Sequence, residues 1–326
     1  MALPFEELEA ITNDYFMVMD GKMASDIYFD TSFLCNYFLK QQKGLWKRPP
    51  SGRRIRIPLM YDGGVAEFYG RGGTTSSDKR EKINAAYFEW KHCYGSGTIL
   101  NIDELANDGP EGMVDLVKTE LYGAQMALTK LISNSIYDLP GGSSLRLTGL
   151  RALCNETTTT AYGGIQEDDM VAADGTKPWE GKMISTAQQV TLPILRNMRS
   201  QAKTMDGPKG KPTLCVTTET LYNSISNILQ VQQRFTEGKK TAEAGFTGLH
   251  FEGLDITADD YCPDSHLFQL NENHIGFAVH KNGYFMRTKW KVIEDSPEDK
   301  TIKFYCHLNL VCNNRKAHIG HSALSA

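Results

Sequence analysis

No stretch of this chain approaches the ~18 consecutive apolar residues that a membrane-spanning helix needs. The N-terminal MALPFEELEAITNDYF carries acids where a secretory signal carries bases. No membrane partner is expected, and the chain reads as made and kept in a cytosol. Cysteine is scarce and unpatterned: Cys35, Cys93, Cys154, Cys215, Cys262, Cys306 and Cys312 are seven, an odd number, with no CxxC. That argues against a disulfide framework and against a zinc knuckle. Asn155-Glu156-Thr157 matches a glycosylation sequon but, without a secretory signal, is read as chance. A large charge excess is also missing, since charged residues make up 23% of the chain and the net charge is -4. Nothing global therefore argues for nucleic-acid binding or a disordered acidic chain.

Catalytic signatures are missing as well. There is no GxxxxGK[ST], GxSxG, HExxH or GxGxxG. Cys154 reads as a small buried hydrophobe more readily than as a nucleophile. Cys306 and Cys312 do not make a metal site with His307, because strand alternation turns His307 to the opposite face. The paired acids Asp168-Asp169, Asp259-Asp260 and Glu294-Asp295 are sequence neighbours whose side chains diverge, and they read as solvated surface. No catalytic residue, metal or cofactor is expected.

What is present is an α+β pattern on 326 residues, 40% of them hydrophobic, enough for a sizeable core. Residues 1–49 read as an aromatic-rich arm whose apolar side chains need a partner. From about Pro50 to His92, Ile55, Ile57 and Leu59, then Ile83, Ala85 and Tyr87, flank a Gly/Ser/Thr-rich middle. This is the pattern of two strands with a connection longer than the ~12–15 residues usual in compact domains, so it should project. After Asp108-Gly109-Pro110, the spacing of Met113, Leu116, Val117, Leu121, Ala124, Leu128, Leu131, Ile132 and Ile136 predicts an amphipathic helix ~40 Å long, ended by Pro140-Gly141-Gly142. Strands and helices then alternate from Gly149 to about His280. TIKFYCHLNLVC (301–312) places Ile302, Phe304, Cys306, Leu308, Leu310 and Cys312 on one strand face, and Lys303, Tyr305, His307 and Asn309 on the other. With YFMRTKWKVI before it, this strand makes a hairpin that could cover the long helix.

The stretch GLRALCNETTTTAYGGI (149–165) is explained by backbone geometry. Gly163-Gly164 permit a sharp turn, Thr157 to Thr160 favour extended chain, and Leu150, Leu153 and Ile165 anchor the ends. From Gln41 to Met60 there are six bases, Lys43, Lys47, Arg48, Arg53, Arg54 and Arg56, and no acid. Three readings stand: a solvated face, a phosphate-backbone contact, or docking on an acidic neighbouring subunit. Alternation puts Arg54 and Arg56 together and Arg53 with Ile55 and Ile57.

The order GLRALC…YGGI, Trp179, KPTLCVTTETLY, RFTEGKKTAEAGFTGLHFEGLDITADDYCP, LFQLNENHIGF and FYCHLNLVCNNRKAHI resembles the major capsid proteins of tailed bacteriophages, from about Arg53 to the C-terminus. The resemblance implies the HK-97 fold: N-terminal arm (1–49), extended E-loop (50–92), peripheral domain with a long spine helix (93–148), axial domain (149–280), then peripheral strands and C-terminus (281–326). It implies intersubunit contacts by Arg53, Arg54, Arg56, Tyr61, Phe68, Tyr69, Arg71, Lys79 and Arg80. It also implies a spine core of Met113, Leu116, Leu121, Leu128 and Leu131, and an axial motif of Gly149, Leu150, Tyr162, Gly163, Gly164 and Trp179. The partners implied are copies of the chain as hexamers and pentamers, a separate scaffolding protein, portal and decoration proteins, and non-specifically held double-stranded DNA. The location implied is the virion, assembled in a host cytoplasm. The rivals are an encapsulin-like cellular shell and an unrelated cytosolic α+β enzyme.

Overall fold

Residues 301–310 alternate polar and apolar side chains, and in the computed structural model they lie within one strand of 17 residues, 296–312, to which four other strands pair. The structure describes residues 5–18, 32–49, 52–62, 66–74, 83–106, 110–139, 145–155, 161–172, 175–202, 210–230 and 248–326. In chain order the N-terminal part holds helices α1 (Phe5–Val18) and α2 (Phe33–Cys35) and strands β1 (Arg54–Met60), β2 (Ile83–Glu89) and β3 (Lys91–Ile99). Helices α3 (Asn101–Ala106), α4 (Pro110–Ile136) and α5 (Leu150–Leu153) follow. The middle holds β4 (Met183–Ile184), β5 (Gln188–Gln189), α6 (Leu192–Gln201), β6 (Leu214–Thr217), α7 (Glu219–Gln230), β7 (Gly248–Phe251), β8 (Leu254–Ala258) and β9 (Leu267–Leu270). The last part holds β10 (Ile275–Val279), β11 (Met286–Arg287), β12 (Lys291–Ile293), β13 (Ser296–Cys312), β14 (Ile319–His321) and β15 (Leu324–Ser325).

Strand β13 is flanked by β3 on one edge and by β10, β11 and β12 in turn on the other, all antiparallel. Its Ile302, Phe304, Cys306 and Leu308 are buried, while Lys303, Tyr305 and His307 are partly exposed. Asn309 departs from the alternation and is fully buried.

Helix α4 lies against this sheet. A Cβ added at Gly95 would stand 2.4 Å from the Ala124 carbonyl oxygen, and one at Gly97 would stand 3.0 Å from that of Glu120. Glycine at alternate positions of β3 thus lets the helix backbone descend onto the strand. The buried helix face is Val117, Leu121, Ala124, Leu128, Ile132 and Ile136, with Leu116 partly buried against it. Leu131 does not belong to it. Its side chain is 48% exposed, because at 100° per residue Ile132, four after Leu128, takes the place on the face and Leu131 falls beside it. The side chain of Met113 lies outside the described residues.

The second sheet has the order β4-β14-β9-β6-β8-β7, with β6 parallel to β8 and antiparallel to β9. Leu214, Val216, Phe268 and Leu270 point into the main core, whereas Cys215, Ile256 and Leu267 meet Leu195 and Met198 of α6 and Leu221 and Ile225 of α7. A strand covered on both faces needs no polar alternation, which is why LCVT reads as an unbroken non-charged run. The expected division at 280 does not hold for the sheets. β10, from within 149–280, joins β13, and β14, from within 281–326, pairs with β9.

Residues 32–49 find their partner inside their own chain. Phe33, Leu34, Cys35, Tyr37, Phe38 and Leu39 are all buried. Leu45 N–H and Lys47 N–H donate to the Ile275 and Phe277 carbonyls. Asp259 accepts from Ser32 Oγ (3.2 Å), Leu34 N (3.1 Å) and Tyr261 N (3.1 Å), pinning the start of α2 beside the end of β8.

The glycine seat gives a direct check. Gly95→Ala forces a methyl group onto a helix carbonyl, so a loss of about 1–3 kcal/mol is expected. At Gly123 an added Cβ meets nothing within 4 Å, so Gly123→Ala in the middle of α4 should gain about 0.5–1 kcal/mol. Urea unfolding of the two variants should move in opposite directions.

Candidate intersubunit surface and its joint

Strands β1 and β2 pair antiparallel from Arg54↔Glu89 to Met60↔Ile83. Directly opposed residues share a face, so Ile55 with Phe88 and Ile57 with Ala86 form the buried side. Ile83 and Tyr87, which alternate with Ala85, are exposed, and Ala85 is buried. The other side of the hairpin and its continuation present Met60 (76% exposed), Ile83 (71%), Phe68 and Tyr69 to solvent.

Arg54 and Arg56 stand exposed on β1, and Arg53 is exposed at the bend before it. Arg54 reaches Glu89 at 3.5 Å, with both side chains more than half exposed; such a pair is worth little in water. Arg71 lies exposed in a turn, whereas Tyr61 packs partly buried against the core instead of projecting. Lys79 and Arg80 lie outside the described residues. The basic run is divided by the fold. Lys43 sits 5.4 Å from the Tyr37 ring, and Arg48 sits 5.8 Å from the rings of both Trp46 and Tyr284, within their own chain. Only Arg53, Arg54 and Arg56 belong to the hairpin.

The root of the hairpin is held by the axial motif residues. Gly163 (φ 62°) and Gly164 (φ 76°) make a left-handed turn. The Gly163 carbonyl accepts from Tyr87 N–H at 2.8 Å. A Cβ at Gly163 would meet the Ala86 Cβ at 2.9 Å and the Phe88 ring at 3.1 Å. Tyr162 packs edge-on to Phe88 at 5.3 Å, and its carbonyl accepts from Trp179 Nε1 at 3.0 Å. Gly149, at the start of α5, lets the chain pass the end of α4, where an added Cβ would stand 2.2 Å from the Asp138 carbonyl oxygen. Leu150 is fully buried beside it.

Two residues outside the expected site complete this joint. Arg315 is 1% exposed. Its Nε and two terminal nitrogens donate to the carbonyls of Leu153 (3.0 Å), Trp179 (3.1 Å) and Ala152 (3.2 Å). Its guanidinium lies 4.8 Å from the Tyr162 ring centre and 3.5 Å from Glu167 Oε1. Burial lowers its pKa, while Tyr162 and Glu167 oppose that shift. Asn309 Nδ2 donates to the Glu89 carbonyl (2.8 Å), and Asn309 Oδ1 accepts from Thr148 N (3.1 Å). The end of β2, the C-terminal part of β13 and the lead-in to α5 thus meet at one amide. Near Arg315, His318 is buried and accepts from Asn271 N at 3.2 Å. Burial, then His274 and Arg315, push its pKa down to about 3.

Nothing in this arrangement joins a nucleophile to a base. Among the described residues, no group of three or more His, Cys, Asp or Glu side chains is placed to hold a metal ion.

No protein-family model and no curated protein matches the chain. Solved structures do. The capsid asymmetric unit of cyanophage A-1(L) superposes with a TM-score of 0.65 at 16% identity, covering 91% of this chain and 93% of that one. The HK-97 fold is the fold of this chain. The capsid of a native GTA particle matches with a TM-score of 0.58 at 8% identity, over 93% and 92% of the two chains. The SrpI encapsulin of Synechococcus elongatus PCC 7942 matches with 0.54 at 6%, over 88% and 87%.

Within this HK-97 fold Arg315 needs a planar fork, because its donors go to three carbonyls in different directions. Arg315→Lys keeps the charge but cannot reach all three, so a loss of about 3 kcal/mol or more is expected, close to that of Arg315→Met, in chemical denaturation. A lysine variant of wild-type stability would show that the fork is not needed.

His318 generates a pH dependence. Its folded pKa lies below the ordinary value near 6.5, so its contribution to stability is complete above about pH 6.5 and is lost as pH falls toward about 3. His318→Asn, which retains an acceptor for Asn271 N–H, should show a flatter fall in unfolding free energy between about pH 7 and pH 4 than the wild type.

Proposed function

We propose that this chain is a major capsid protein of a tailed bacteriophage, and that copies of it close into an icosahedral head of hexamers and pentamers around double-stranded DNA. One observation carries the reading: a whole-chain HK-97 fold from which a firmly rooted hairpin projects, exposing Met60, Phe68, Tyr69 and Ile83 to solvent in the isolated chain. Exposed large apolar side chains on a projection are costly unless another subunit covers them. In this reading β1–β2 is the E-loop, α4 is the spine helix, and the six-stranded sheet with α6 and α7 is the axial body. The role is structural, without catalysis. The partners are further copies, a scaffolding protein, portal and decoration proteins, and DNA held non-specifically. The product is the virion, assembled in a host cytoplasm.

Arg53, Arg54 and Arg56 dock, in this reading, on an acidic surface of a neighbouring subunit. An encapsulin-like shell is the second reading, favoured by the match to the SrpI encapsulin. Packaged nucleic acid against protein cargo in purified particles separates the two.

Electron microscopy of the expressed full-length chain should show uniform closed shells, and the combined Arg53→Glu, Arg54→Glu and Arg56→Glu variant should stay folded without forming them. Normal empty shells from that variant would reject docking; a salt-sensitive defect in DNA retention alone would turn the arginines toward DNA. A wild type that stays monomeric and turns over a substrate would favour an enzyme instead.

A further inference from the structure

Of the seven cysteines, six are buried and only Cys93 is partly exposed. In the pairing of β3 with β13, the residue directly opposite Cys93 is Cys306. Cys93 Sγ lies 3.3 Å from the Cys306 carbonyl oxygen. Directly opposed residues of an antiparallel pair have their Cα atoms about 4.5–5.5 Å apart. That spacing falls inside the ~4.4–6.8 Å window in which a disulfide closes without backbone movement. The two thiols also interact. A hydrogen bond from Cys306 is the largest influence on Cys93 and lowers its pKa against the opposing effect of burial, while the Cys306 thiol is raised well above the ordinary range. The reachable sulfur is therefore the more acidic one, and the hidden sulfur stands beside it.

We propose that Cys93 and Cys306 are a dithiol–disulfide pair, Cys93 the attacking and Cys306 the resolving sulfur, whose oxidation by a small organic disulfide covalently joins the two strands beneath the spine helix. Cys93 thiolate attacks one sulfur of the reagent, forming a mixed disulfide and expelling one thiolate, which takes up the proton Cys93 gave up. Cys306 thiolate then attacks the Cys93 sulfur. The protein S–S bond forms, the mixed disulfide breaks, and the second reagent thiolate leaves with the Cys306 proton. Two protein thiols are oxidised and one reagent disulfide is reduced to two thiols.

The bond would close a loop with a sequence separation of 213 residues, containing α4, α6, α7 and five strands of the six-stranded sheet. Long closed loops restrict the unfolded chain most. The β3–β13 pairing is also the seat on which α4 rests. Oxidation should thus stabilise the framework of the chain, whether or not copies assemble.

The test treats the full-length protein with bis(2-hydroxyethyl) disulfide near pH 8, blocks remaining thiols with N-ethylmaleimide, and records intact mass and peptide maps under non-reducing conditions. Expected are two fewer maleimide adducts, a linked peptide pair containing Cys93 and Cys306, faster closure in native than in urea-unfolded protein, and a higher unfolding midpoint that dithiothreitol reverses. Cys93→Ser should prevent closure, and Cys306→Ala should stop the reaction at a mixed disulfide on Cys93. The labelling rate of Cys93 in the wild type provides a readout that does not depend on either variant folding. A stable mixed disulfide on wild-type Cys93, a different linked pair, covalent dimers through Cys93, or native closure no faster than in urea would overturn the proposal.

Discussion

A guanidinium buried to 1% exposure must have its donors satisfied, and the carbonyls that satisfy those of Arg315 come from separate parts of the chain: Ala152 and Leu153 at the end of α5, and Trp179 after the glycine turn. Leaving such a charge unpaired costs several kcal/mol. The segment that follows β13 and the parts of the chain that carry Ala152, Leu153 and Trp179 therefore hold one another in place. Tyr162 lies under the guanidinium, Trp179 donates to the Tyr162 carbonyl, and Tyr162 packs on Phe88 of the hairpin. One buried cation thus connects the C-terminal part of the chain to the root of its projection.

In the proposed shell, a hairpin that must meet neighbours at a defined angle gains from a stiff root and an adaptable outer surface. The root here is fixed from two sides, by Gly163 and Tyr162 against β2 and by Asn309 holding the Glu89 carbonyl. Trp90 Nε1 adds a bond across the base to the Gly52 carbonyl at 2.9 Å. Beyond the root, the exposed side chains include Arg56, Met60, Phe68, Tyr69 and Ile83, which bring contact area and charge. Many weak contacts of this kind, repeated around a closed shell, sum to a stable assembly.

The long helix obeys a different constraint. Its depth on the sheet is set by backbone meeting backbone at Gly95 and Gly97, and side-chain packing follows from that depth. The opposite arrangement, large side chains on β3, would lift the helix away from Ile302 and Phe304 of β13. The N-terminal segment 32–49 completes the same core with Phe38 packing on Phe277 of β10, so the part of the chain that reads as an outlying arm contributes buried aromatic area to the centre.

Local chemistry determined the elements whose partners lie a few residues away. The spine follows from 3.6-residue spacing, its start from Pro110 and its buried face from Leu121 and Leu128. The face of β13 follows from strict alternation, and Arg54 with Arg56 from the same rule on β1. The ordered motifs from Gly149 onward pointed to the shell fold through resemblance. Tertiary structure decided whatever depends on a distant partner. Leu131 and Ile132 both fall three or four residues after Leu128, and the angular position of the face that meets the sheet selects Ile132. Ile83 and Tyr87 lost the inner face of β2 to Ala86 and Phe88 because cross-strand register, not the strand's own pattern, assigns faces. Asn309 sits on the polar side of its strand yet is buried, since Glu89 and Thr148 converge on it there. Arg315 carries no local signal in NNRKAH, because the carbonyls that make it indispensable are brought to it only by the completed fold.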